Sequence, residues 1–171
     1  WSASLCPTAT KASAPPCATA KLAFPGAVFD ADELRRHLSG LGLTDKTVSR
    51  LMGLYGARAR DVVAEAKADH SLLDVVHAPT GAIGAEMVFA MRDEFAASLA
   101  DVMARRVLLA FAPGHGLESL NAIADLLARS FNWDAARKAA EIRGYEQWLS
   151  HLAVPGRAGV GGVARGEGAA A

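Results

Sequence analysis

The sequence predicts an all-α fold, a compact bundle of about eight short helices with disordered N- and C-terminal tails. Three observations carry that expectation. Between about residues 23 and 153, apolar residues recur at three- and four-residue spacing, and no alternating stretch is long enough to make a strand. Helix-start signatures recur along the same stretch, each with an acceptor side chain just ahead of an apolar run. The two ends lack such periodicity: residues 1–22 are rich in Ala, Ser, Thr and Pro, and residues 154–171 carry six glycines.

The first helix starts at Asp30, which with Glu33 makes a capping box ahead of Leu34 and Leu38, and Gly40-Leu-Gly42 ends it. Thr44 caps a second helix holding Val48, Leu51 and Leu54. Gly56 interrupts this one, and a third runs through Val62 and Val63 toward Ala68. A short fourth turn follows Asp69 with Leu72, Leu73 and Val76, until Pro79 and Gly81 break the chain. The fifth and sixth helices share the charged stretch Glu86 to Arg106, divided by a second capping box at Ser98 and Asp101, and Pro113 and Gly114 close the pair. The seventh carries Leu120, Ile123, Leu126 and Leu127. The eighth begins at Asp134 and passes Ile142, Tyr145 and Trp148.

The charges between Glu86 and Arg106 sort themselves on a helical wheel. At about 100° per residue, Ile83, Met87, Val88, Met91 and Phe95 form one apolar stripe with Glu94 at its edge. In the next helix Leu99, Val102, Met103 and Ala110 group together with Arg106 among them. Both charges are therefore expected inside, each paired, with each other across the junction at residues 96–98 as one arrangement. The alternative has Arg106 reaching solvent along its aliphatic stem. Asp101 and Arg105 lie off the stripe at i,i+4 and read as an exposed pair, worth about 0.3–0.5 kcal/mol.

Composition narrows the function classes. Eighteen basic and eighteen acidic residues cancel, so no global field draws the chain to nucleic acid or to an anionic surface. The chain has no run of about 18 apolar residues, the length needed to span a bilayer. Cys6 and Cys17 sit in the unpatterned N-terminal segment and read as free thiols, and they are too few for a zinc site. The first twenty residues lack the profile of a secretory signal. A chain that opens on Trp1 reads as a piece of something longer. His37, His70, His77, His115 and His151 form no i,i+4 metal pair and read as surface or capping residues. No Gly-x-Gly-x-x-Gly follows a strand, and there is no phosphate loop, so no catalytic, cofactor-binding or metal residue is assigned. Residues 30–55 resemble a helix-turn-helix in outline, but hold few cations for phosphates. Phe131, Trp133, Tyr145 and Trp148 could make a contact surface, although such residues are more often core. A free-standing all-α interaction or DNA-binding module thus stands as the alternative reading.

Five stretches, in order, carry a resemblance: Leu54-Tyr-Gly-Ala-Arg58, the helix start Ile83-Gly-Ala-Glu86, Arg92-Asp-Glu94, Asp101-Val-Met-Ala-Arg-Arg106 and Phe131-Asn-Trp-Asp134. Their order and spacing over residues 24–150 resemble the C-terminal helical domain of aerobic, FAD-dependent glycerol-3-phosphate dehydrogenase. There the stretches commonly read Tyr-Gly-Ser-Arg, Ala-Glu with an apolar run, a Glu before Asp-x-x-x-Arg-Arg, and Gly-Trp-Asp. Here Ala57 replaces the serine and Asn132 the glycine. The resemblance implies a domain at residues 23–153 that is structural or interaction-mediating. The parent enzyme would bind FAD, oxidise glycerol 3-phosphate and pass electrons to quinone. It also implies that FAD and substrate are held by a preceding flavin-binding domain, the partner of this one. The implied location is cytoplasmic, with peripheral contact at the inner face of the cytoplasmic membrane through the parent.

Overall fold

The computed structural model describes Lys21, Leu22, Phe24 and residues 26–152. The expected tails lie outside these residues except for Lys21 and Leu22, and so do Cys6 and Cys17. Six α-helices form the domain: α1 (Ala31–Ser39), α2 (Asp45–Tyr55), α3 (Ala59–Ala64), α4 (Gly84–Arg92), α5 (Leu120–Phe131) and α6 (Ala135–Ser150). Short 3-10 turns join them, and a π-helical segment spans Asp101–Arg106.

The caps account for the boundaries. Asp30 accepts hydrogen bonds from the amides of Asp32 and Glu33 at 3.0 and 2.9 Å. Thr44 accepts from the amide of Thr47 at the head of α2, and Asp134 from that of Arg137 at the head of α6, at 2.7 Å. Each acceptor satisfies an amide that the helix cannot satisfy itself. At Ser98 the capping box is reciprocal: the Ser98 hydroxyl accepts from the Asp101 amide at 3.1 Å, and Asp101 accepts from the Ser98 amide at 3.1 Å.

Helix α4 is the axis of the packing. Every residue from Gly81 to Ala90 is buried, and α4 meets α3, α5 and the turn at residues 70–73. A helix covered on all sides belongs to the core and not to its edge. Around it, α1 pairs with α2 through Leu34, Leu38, Val48 and Leu51, and α5 pairs with α6 through Ile123, Leu127 and Tyr145.

Two features depart from the sequence expectation. Val75–His77 (β1) and Ala82–Ile83 (β2) form a small antiparallel hairpin where only a helical turn and a break are expected. The amide of Gly81 reaches the His77 carbonyl at 2.9 Å to close its turn. Two Val residues ahead of a Pro-Thr-Gly turn are the signal, too short to register as alternation. The second departure is the π-helical segment. Its last bond runs from the Val107 amide to the Val102 carbonyl, five residues back, at 2.9 Å. A π-turn holds more residues than an α-turn, so each one advances less around the axis.

Two backbone positions explain the residues found there. Gly56 has φ 55° and ψ −131°, and a Cβ on it would lie 2.1 Å from the carbonyl oxygen of Gly26. That carbonyl accepts from the Ala57 amide at 3.0 Å, so the N-terminal approach to the domain rests on this glycine. Asn132 ends α5 in the left-handed region, φ 53° and ψ 44°, and the Trp133 amide closes onto the Ala128 carbonyl at 3.0 Å. This is the terminal geometry in which glycine is favoured and asparagine is the usual substitute.

Gly56→Ala should cost about 2–4 kcal/mol, combining left-handed strain with overpacking. Asn132→Ala should cost about 1 kcal/mol while Asn132→Gly costs none. Denaturant unfolding of the three variants checks both. An unchanged midpoint for Gly56→Ala would show that the Gly26–Gly56 contact is not part of the folded domain.

Candidate functional site

The buried polar centre is Glu86, at the start of α4, whose side chain is fully enclosed. Arg50 of α2 donates from Nε to both carboxylate oxygens, at 3.1 and 3.0 Å. The Ile83 amide donates to Oε1 at 3.0 Å, and the Tyr55 hydroxyl to Oε2 at 3.4 Å. Arg50 also donates from Nη2 to the Val107 carbonyl at 2.6 Å, just past the π-helical segment. One carboxylate thus ties α2, the end of β2, α4 and, through Arg50, the chain at Val107.

Aromatic and charged groups surround this core. Tyr55 meets Phe89 edge to face at 5.9 Å. The Arg58 guanidinium lies over the Phe89 ring, 4.8 Å from its centroid, and Nη1 is 3.6 Å from Glu94. Burial pushes the Glu86 carboxyl above the usual carboxylate range; the charge and hydrogen bonds of Arg50, the Ile83 amide and the Tyr55 hydroxyl oppose that without overcoming it. The Tyr55 phenol is raised by its own burial and then by the negative charges of Glu86 and Glu94.

The charges expected from the wheel are placed as follows. Asp101 and Arg105 meet at 2.7 Å, with Arg105 largely in solvent. Burial disfavours the Asp101 carboxylate, but the Ser98 hydroxyl, the Ala97 amide and Arg105 outweigh it and hold its pKa low. Glu94 is 17% exposed and faces Arg58, not Arg106. Arg106 is exposed, which corrects the expectation of an interior arginine. The π-helical turn is the cause: it shifts the register by about one residue, and Val107 is buried in its place. Phe95, also expected on the buried stripe, is 92% exposed, because α4 ends at Arg92 and the chain reverses. His77, expected at the surface, is buried, with Nδ1 2.7 Å from Thr80 Oγ1 and Nε2 2.9 Å from Glu118 Oε1.

The partnership of Glu86 and Arg50 is the feature that sequence reading missed. Glu86 stands out as the single charge in the otherwise apolar run Gly84–Met91. Its partner lies 36 residues away, on a helix whose position no local pattern reveals.

The sequence matches known proteins. Over residues 17–138 the chain matches the family described as the C-terminal domain of alpha-glycerophosphate oxidase. It belongs to that family. It is 29% identical to a glycerol-3-phosphate dehydrogenase of Synechocystis over 146 residues, covering 84% of this chain and 26% of that protein. It is 31% identical to glycerol-3-phosphate dehydrogenase 2 of Mycobacterium bovis over 134 residues, covering 76% of this chain and 23% of that protein. The same figures hold for glycerol-3-phosphate dehydrogenase 2 of Mycobacterium tuberculosis. The chain therefore spans about a quarter of the length of these relatives. No solved structure matches it.

As a member of the alpha-glycerophosphate oxidase C-terminal domain family, the chain invites a test of whether its residues suit a flavin. The nearest thing to a nucleotide-binding turn among the described residues is the junction of β2 and α4, since a helix start can hold a phosphate. A Cβ on Gly84 there would lie 2.7 Å from Leu126 Cδ1, and the Glu86 carboxylate already takes the Ile83 amide. The junction is filled by core and by a negative charge, so these residues do not fit a pyrophosphate. The left-handed run Gly114-His115-Gly116 is likewise engaged: His115 Nδ1 is 2.6 Å from the Ala110 carbonyl, and the His115 carbonyl accepts from the Tyr145 hydroxyl at 2.6 Å.

Arg50→Met should destabilise the domain by about 3–5 kcal/mol at neutral pH, because it strands a buried carboxylate. The double variant Arg50→Met with Glu86→Leu should recover most of that loss. The pH dependence has a definite sign. The folded-state pKa of Glu86 lies above its unfolded value, so its contribution is complete below the unfolded pKa and is lost as pH rises through the folded one. Without Arg50 the shift grows, so the penalty in Arg50→Met should shrink on acidification. Urea denaturation at neutral and mildly acidic pH measures this, and a penalty that grew in acid would contradict the pairing.

Proposed function

We propose that this chain is the C-terminal domain of an FAD-dependent glycerol-3-phosphate dehydrogenase. The parent enzyme oxidises glycerol 3-phosphate to dihydroxyacetone phosphate and passes electrons to quinone. FAD and substrate are held by a preceding flavin-binding domain, and this domain supports that one without contributing a reacting group. The observation that carries the reading is the family match over most of the chain, combined with its coverage of only about a quarter of each dehydrogenase relative.

The geometry supports this reading. Its central ionisable group, Glu86, is enclosed, and protein groups occupy its carboxylate. A general acid or base needs the reacting proton within hydrogen-bond reach, and Glu86 presents no free face to one. A shallow cleft between the turn at residues 65–72 and α5 contains Arg92, but Arg92 is held by Glu65 at 2.6 Å. No helix among the described residues is long and apolar enough to cross a membrane; the family resemblance supplies the further part of the proposal, peripheral contact of the parent at the inner face of the cytoplasmic membrane.

Two measurements test the proposal. Titrating the purified chain with FAD should leave flavin absorbance and fluorescence unchanged, and micromolar binding would contradict a supporting role. Exchanging the C-terminal quarter of the Synechocystis dehydrogenase for this chain should give a flavin-loaded protein that oxidises glycerol 3-phosphate. An inactive, flavin-free chimera would overturn the assignment.

A further inference from the structure

We infer that Phe95 is the anchor by which this domain docks on the preceding domain of its own polypeptide, an inference that rests on the function proposed above. Phe95 is 92% exposed, the most exposed large apolar side chain among the described residues. It also sits at φ 59°, in the left-handed region that an aromatic residue adopts only at a cost. The reversal there, closed by a 3.0 Å bond from the Ala96 amide to the Ala90 carbonyl, is a place where glycine would serve the backbone better. The side chain is thus presented to solvent on strained backbone, without packing that explains it.

Its surroundings identify the occupant. Glu94, next in sequence, is held by Arg58. A Cβ on Gly26 would lie 3.7 Å from Arg58 Cγ, and one on Gly56 3.2 Å from Phe29 Cε1. The Gly26 carbonyl accepts from the Ala57 amide at 3.0 Å, and Arg58, next along the chain, holds Glu94 at 3.6 Å, so one run of contacts links the N-terminal approach to the residue before Phe95. That approach is itself apolar and exposed: Phe24 is 81% and Val28 80% exposed. The dehydrogenase relatives are about four times as long as the aligned segment, and the family is a C-terminal domain. In such a protein the larger part of the polypeptide lies ahead of this domain, on the N-terminal side of the approach at residues 26–29. An exposed aromatic beside the point of chain entry has the position of an interface anchor, where a few aromatic residues carry most of the binding energy.

The test uses the Synechocystis chimera with p-benzoylphenylalanine in place of Phe95, irradiated and mapped by peptide mass spectrometry. The same photoreactive residue at Phe111, which is exposed but packed edge to face on Trp148 at 6.4 Å, serves as control. The expected result is an active chimera whose position 95 cross-links to the preceding domain, with a yield about tenfold above that of position 111. Cross-links only to a second copy, or only to residues 1–20, would overturn the inference while leaving the functional reading intact, as would equal yields from the two positions. Loss of flavin and activity in the chimera carrying the natural Phe95 would overturn the functional reading itself.

Discussion

The fold depends on keeping one carboxylate charge-balanced out of water. An unpaired carboxylate in a protein interior carries a desolvation penalty of several kcal/mol. Glu86 meets it with Arg50, the Ile83 amide and the Tyr55 hydroxyl, and each partner comes with a structural consequence. Arg50 fixes the rotation of α2, since its other donor must also reach the Val107 carbonyl. Tyr55 fixes the end of the same helix one step before the Gly56 turn. The Ile83 amide fixes the junction between hairpin and helix, where Glu86 reaches back to an otherwise unsatisfied donor. A hydrophobic centre would fill the same space, but it would not specify how α2, α4 and the chain at Val107 are registered against one another.

The π-helical turn follows from that registration. Between Asp101 and Val107 the chain must keep the Val102–Met103 face in the core and bring the Val107 carbonyl to Arg50. An unbroken α-helix would turn Arg106 toward the core in place of Val107, where Glu86 is already committed to Arg50 and Glu94 to Arg58. One extra residue in the turn removes the conflict: Val107 is buried and Arg106 faces water. An unpaired cation in the interior is avoided by a change of helical pitch, with no change of residue type.

Much of this architecture was legible in the sequence, and the limit has a physical basis. The caps at Asp30, Thr44, Ser98 and Asp134 are local, decided within a few residues, and they place helix starts well. The wheel is local too, but it assumes a single pitch and a helix that continues. It placed Glu94 in a part-buried pair without naming Arg58 as the partner, and it failed at Arg106, where the pitch changes, and at Phe95, where α4 has already ended. The Glu86–Arg50 pair spans 36 residues of sequence, so no periodicity could reveal it. A charge alone in an apolar run, at Glu86, was the available hint that the helix is covered on every side and needs a distant partner. The hairpin at Val75–Ile83 escaped because strands of three and two residues are shorter than any alternation that can be trusted.

The stretches that carry the family resemblance turn out to be the places where the fold is most constrained. Tyr55 and Glu86 form the buried centre, Gly56 permits a carbonyl contact that a side chain would block, and Arg58 and Glu94 pair across α3 and the end of α4. Asp101 closes a capping box, and Asn132 supplies a left-handed helix end that its glycine counterpart would also supply. Ala57 is indifferent, because the structure uses its amide and not its side chain. Each residue answers to geometry, and none needs a substrate to explain it. Similarity over this quarter of a dehydrogenase therefore reports a shared architecture. The exposed aromatic at residue 95 is held by local ties of the same kind, the Ala96 amide on the Ala90 carbonyl on one side and the Glu94–Arg58 pair on the other.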